Sequence, residues 1–278
     1  MRKILLAVAL FTTSLSFAQK TGNTLSFQKG AKLEMTYHVK SSSQAMGDTK
    51  LDVTVVRSFD VEDIVDGNAV IEHKIKSIRF EMESMLANES FDSEKEEDRK
   101  GDIGKALEKT LKAKYTMTLD PTGKVVAVES EKAEKEKQSA PQEQILLSMI
   151  EQVAGSIKPP AVGDKTEFSV LPSKELSVGE SWTDSTQNRQ TVYTLKAINE
   201  EEILLSYTEK LNTEQNQEFG GMSVTISSAD HTTGFIKLDK ATGLLREKTA
   251  STQSEGTMSV MGQSMPVNST ISKTWIIK

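Results

Sequence analysis

"AVIEHKIKSIRFEM", residues 69–82, decides the fold. Ala69, Ile71, His73 and Ile75 recur at every second position, the spacing of a strand with one buried face. Ile78, Phe80 and Met82 continue the spacing in the opposite phase. One extra residue near Lys76–Ser77, a β-bulge, returns both sets to the same face, and bulges bend the strand that carries them. The expectation is a curved sheet.

The same period runs outward in both directions. Leu33, Met35, Tyr37 and Val39 share a face before this stretch, as do Leu51, Val53 and Val55. After it come Tyr193, Leu195 and Ala197; Ile203, Leu205 and Tyr207; Met222, Val224 and Ile226; and Val267, Ile271, Trp275 and Ile277. Alternation with one polar face excludes a parallel sheet covered on both sides and favours antiparallel hairpins. Glycines in "Asp66-Gly67", "Met46-Gly47-Asp48" and "Met261-Gly262-Gln263" supply the positive φ of tight connections.

One turn phrase is written twice. "TLDPTGKVVAVES" (118–130) and "KLDKATGLLREKT" (237–249) both read Leu-Asp, spacer, Thr-Gly, then two apolar residues. Asp bonds back into such a turn and the glycine, Gly123 or Gly243, takes the left-handed position before the next strand. The second copy has a loop one residue longer. "KGAKLEM" (29–35) and "VGESWTD" (178–184) likewise each set a glycine before a strand. The chain therefore reads as mainly β: curved antiparallel meander sheets, as two related halves or one continuous sheet, with one or two amphipathic helices covering a sheet face. Residues 19–129 form the first meander and 164–278 the second. Residues 84–113, read as an acidic loop and then a helix with Ile103, Ala106, Leu107, Thr110 and Leu111 on one face, are an insertion in the first.

Between the meanders, 130–163 is a charged linker followed by an amphipathic helix over 140–156. Ser139 and Gln142 make a capping box, and Ile145, Leu146, Met149, Ile150 and Val153 form its apolar stripe. Such a stripe needs a sheet face to cover. Ile145, Met149, Ile150 and Val153 are thus the candidate lid or lining of an apolar ligand site; the alternative is a permanently packed core helix.

Residues 1–18 have the three parts of a secretory signal: Arg2 and Lys3, an apolar run, and small residues at Ser16 and Ala18. Cleavage after Ala18 places the protein in the periplasm or medium. The run is too short to span a bilayer, and no transmembrane segment is expected elsewhere. Removing Arg2 and Lys3 takes the net charge from −6 to −8, which gives no footprint for nucleic acid. Without cysteine the fold rests on its own core.

No residues are assigned to catalysis, a cofactor or a metal. His38, His73 and His231 lie in no metal-ligand spacing, and His73 reads as a hydrogen-bonded core histidine. In "Ser228-Ala229-Asp230-His231" neighbouring strand residues point to opposite faces, which argues against a triad. The carboxylates Asp92, Glu94, Glu96, Glu97 and Asp98 lack the glycine of a calcium loop and are neutralised by Lys95, Arg99 and Lys100. The 11 methionines fill the core or line an adaptable groove. The signal segment, "FQKGAKLEMTY", "FDSEKEE", "LDPTGKV", "LSVGESW" and "LDKATGLL" together resemble a family of exported bacterial envelope proteins of unknown function, over nearly all of the mature chain. The resemblance implies an antiparallel β-rich fold and no activity. In shape alone the expected sheet and helix are similar to the half-barrels of periplasmic lipoprotein carriers. The functional expectation is a non-catalytic envelope protein that holds an apolar small molecule or acyl chain on a concave sheet face. The alternative is a structural or interaction protein with a fully packed core.

Overall fold

A computed structural model describes residues 20–44, 47–85, 88–130, 159–219, 222–260 and 262–278. The signal segment 1–18 and the expected helix 140–156, with Ile145, Met149, Ile150 and Val153, lie outside the described residues. The strands are β1 (Lys20–Thr21), β2 (Lys32–Gln44), β3 (Asp48–Val65), β4 (Asn68–Ser84) and β5 (Asn88–Asp92). Helices α1 (Glu96–Lys100) and α2 (Asp102–Lys112) follow, then β6 (Lys114–Leu119), β7 (Val125–Ser130), β8 (Leu176–Ser177), β9 (Ser181–Ser185) and β10 (Arg189–Ile198). Four long strands close the chain: β11 (Glu202–Phe219), β12 (Met222–Asp239), β13 (Leu245–Val260) and β14 (Gln263–Ile277).

β1 and β8 pair with each other, and the other twelve strands form one open antiparallel sheet, in the order β7-β6-β4-β3-β2-β14-β13-β12-β11-β10-β9, with β5 beside β4. Within the runs β2 to β4, β6 to β7 and β9 to β14 successive strands are neighbours, and the last strand closes against β2 in the middle of the sheet. Short hairpin connections enforce this order, since a meander needs no crossover. The expected bulge is present: Val56 faces Ser77 and Arg57 faces Ile75, so Lys76 is the extra residue. Ile75 and Ile78 are consequently buried on the same side.

All the buried clusters lie on that side, the inner face. Tyr37, Val39, Val53, Val55, Ile75, Ile78 and Phe80 are sealed by Leu107 of α2 and by Phe91 of β5. The segment 84–113 departs from expectation here, because the part read as an acidic loop contains β5, paired to β4 from Arg79 to Glu83. Its helical part stands as read, with Ile103, Leu107 and Leu111 packed inward. A second cluster joins Met35, Phe59, Ile71 and Leu119 to Leu25 and Phe168. A third, on β10 to β13, includes Leu195, Leu205, Ile236 and Leu238 with Leu171 and Leu176. Among the described residues no helix is long and apolar enough to cross a membrane.

Candidate functional site on the inner face

The doubled turn phrase positions this face. In the first turn Asp120 Oδ1 accepts from Thr122 N at 2.8 Å and Thr122 Oγ1 at 2.7 Å; in the second, Asp239 Oδ1 accepts from Thr242 N and Oγ1, both at 2.8 Å. Desolvation pulls both aspartates upward, but these bonds win and hold each carboxyl below its ordinary pKa. Gly123 and Gly243 have φ of +79° and +70°. The two turns lie on either side of the N-terminal segment: Leu25 N donates to Pro121 O at 2.7 Å and Ser26 N to Thr242 O at 2.8 Å. Asn23 Nδ2 adds a bond to Thr122 O at 2.8 Å. The repeated phrase is thus a clasp that holds Leu25 in the core.

At the margin of the third cluster the inner face changes character. Trp182, Tyr193 and Tyr207 stand side by side on β9, β10 and β11, with ring centroids 5.0 and 5.9 Å apart. Tyr207 lies over Gly234 on β12, where a Cβ would strike its ring, and donates to Thr249 O at 3.2 Å. Further along, the inner face of the second meander turns polar. Glu209 accepts from Thr191 Oγ1 at 2.8 Å, the Thr232 and Thr252 hydroxyls are 2.8 Å apart, and Asp230 accepts from Ser254 Oγ at 2.6 Å. Ile271, Val267, Met265, Met258 and Ile226 occupy the same face and remain half-buried.

Two lysines stand at the boundary. Lys248 Nζ lies 5.1 Å from the Tyr207 ring centroid and 4.9 Å from that of Trp275, positions of cation–π attraction. Lys273 projects from β14 opposite Ala250. Burial, chiefly, holds both amines below the ordinary lysine pKa; Glu209 opposes the shift at both, and the positive Lys273 adds to it at Lys248. The alternation that places Ile271, Trp275 and Ile277 inward also places Lys273 there, so the signal was present in the sequence. Lys248 is harder to find, because the bulge at Arg246 resets the phase of β13.

His73 is buried as expected, between Phe59 and Tyr115 at centroid distances of 4.9 and 4.5 Å. A hydrogen-bonded ring was expected, and among the described residues its Nε2 finds no partner. Ser228 and Asp230 face inward and His231 outward, as the strand period requires. Asp92 and Asp98 are engaged locally, Asp98 Oδ2 accepting from Asp92 N at 2.8 Å. Met35 and Met117 are core residues, while Met82, Met258 and Met265 are half-buried on the inner face. On the opposite face a polar groove of about 510 Å³ is lined by Lys40, Lys50, Asp52, Glu81 and Glu83 among others. At its rim His38 Nε2 lies 2.7 Å from Asp52 Oδ1, and Lys40 Nζ 3.2 Å from Oδ2.

A family described as of unknown function (DUF6263) matches residues 66–245. No curated protein matches the chain. Among solved structures, one of lipovitellin, concerned with lipid–protein interactions, aligns with 91% of this chain at 10% identity and a TM-score of 0.45. The chain spans 25% of that chain's length. An outer membrane channel from Pseudomonas putida F1 aligns with 93% of this chain and 99% of its own at 9% identity and a TM-score of 0.27. TM-scores this low do not establish a shared fold.

Proposed function

Because this chain belongs to the family of unknown function DUF6263, we propose its role from the geometry of the sheet: an exported, non-catalytic envelope protein that holds an amphiphile, its acyl chain laid along the distal part of the inner face. The division of that face carries the reading. On the near side Val39, Val55, Ile71, Ile78 and Leu107 are 0% exposed, sealed by the chain's own segments. On the distal side Ile271, Val267, Met265 and Met258 stay half-buried beside hydroxyls and charges. Apolar side chains with a few polar groups suit an amphiphile, and flexible thioethers adapt to it.

Native mass spectrometry of protein purified from its own cells, with titration of the ligand-free protein by a fluorescent fatty acid, tests the reading. Saturable uptake is expected. If nothing co-purifies and no uptake occurs, the alternative takes its place: a structural or interaction protein, favoured by the sealed near half, that meets partners through its polar face or open edges. Export is tested separately, since protein recovered from the periplasm or medium should begin at Gln19. Full-length chain in the cytoplasm under native expression contradicts it.

A further inference from the structure

Lys248 and Lys273 sit where the strand pattern calls for apolar residues. Lys248 is opposite Trp275, and Lys273 is two positions along β14 opposite Ala250, so the two ammonium groups are diagonal neighbours on one face. Like charges so placed repel, and partial burial strips them of water. Among the described residues neither takes part in an ion pair. The carboxylates that act on them, Glu209 at both and Asp230 at Lys273, accept hydrogen bonds from Thr191 and Ser254 and form a salt bridge with neither. Arg189 on β10 adds positive charge on this face, and Glu167 is paired with Arg57 at 3.2 Å. Lys248 over two aromatic rings, and Lys273 beside it, put two ammonium groups with no salt-bridge partner among hydroxyls on one face.

We infer that Lys248 and Lys273 recognise the anionic head group, a carboxylate or a phosphate, of the amphiphile whose chain lies along Ile271, Val267, Met265 and Met258. The inference rests on the amphiphile reading above and adds the chemistry of the head. Their lowered pKa values fit it, because an ammonium short of compensation gains most from an incoming anion. The paired hydroxyls of Thr232 and Thr252, inward on β12 and β13, share one hydrogen bond and leave one O–H to donate to the head group.

Trp275 beside Lys248 supplies the readout. In a Trp182→Phe background its fluorescence is followed while laurate, dodecyl phosphate, dodecanol and dodecyltrimethylammonium are added below their micellar concentrations. Laurate, dodecyl phosphate or both should bind about tenfold tighter than dodecanol, the worth of one charge-assisted hydrogen bond; comparing the two anions tells a carboxylate from a phosphate head. The pair Lys248→Met and Lys273→Met keeps the aliphatic stems, and should hold dodecanol as before while losing the preference for anions. Equal binding of all four probes by the parent protein overturns the inference and leaves the amphiphile reading standing. Anion preference that survives in the double variant overturns the role of these lysines. Failure of every probe to bind removes both.

Discussion

His73 shows how one side chain couples this core to pH. Burial first, and the positive Arg57 second, push its pKa from 6.5 down to about 3. The folded protein thus keeps the ring neutral while the unfolded chain protonates it below 6.5, so the unfolded state binds more protons and stability falls as pH falls. Between pH 7 and pH 5 the loss from this residue should be about 2 kcal/mol. Denaturant titrations at the two pH values measure it, and His73→Leu should flatten the dependence over that window. An equally acid-sensitive variant would reject the assignment. The lysines act at the other end of the scale. Their folded pKa values lie below the ordinary one, so stability rises as pH approaches the usual lysine range and the unfolded chain alone keeps its protons.

The two Asp-Thr-Gly turns gain their energetic meaning from what they hold. A Cβ at Gly123 would come within 2.7 Å of Leu25 Cδ1, and one at Gly243 within 2.6 Å of Thr24 O. Gly123→Val or Gly243→Val should therefore cost about 2–4 kcal/mol, from positive φ and from displacing the clasped segment. Leu25→Ala should cost a similar amount by leaving a cavity. Because both turns touch one segment, Gly123→Val and Leu25→Ala should be non-additive in a double-mutant cycle of thermal or urea unfolding. Additive losses would mean that turn and segment act independently. The helix expected at 140–156 invites a comparable test. As a lid, it should tolerate Ile145→Ser with Met149→Ser, giving a folded protein with increased uptake of fluorescent fatty acid. As a core element, it should lose about 4–8 kcal/mol and much of its β structure in circular dichroism.

Across the whole molecule the two meanders correspond in hydrogen bonding as well as in order. Gly30 N donates to Val61 O and Val61 N to Ala31 O; Gly179 N donates to Leu195 O and Leu195 N to Glu180 O. A register shift follows at once in each, after Val61 and after Leu195. The hairpins with the doubled phrase repeat the agreement, with shifts beside Leu119 and Leu238. Two related β halves, the first enlarged by β5, α1 and α2, remain our proposal for this pattern. They are not separate cores, because Trp275 packs against all three buried clusters. Unfolding should accordingly be one cooperative transition, coincident by far-ultraviolet circular dichroism and tryptophan fluorescence, and Trp275→Ala should lower its midpoint without splitting it. Two separated transitions in the parent protein would show independent halves.

The sequence alone carried the strand faces, the bulge at Lys76, the left-handed glycines and the apolar side of α2. Each is a local matter: side-chain period and backbone φ are set by neighbours a few positions apart. Tertiary structure decided which strands meet and what covers them. β5 escaped notice because only Phe91 of its five residues is buried, too few to make a period, and it exists as a strand only through its pairing with β4. The clasp on Leu25 joins residues nearly 100 and over 200 positions apart, beyond any local pattern. The polar distal face likewise depends on Glu209, Asp230, Lys248 and Lys273, unremarkable in their own strands and brought onto one surface only when β11 to β14 align in register.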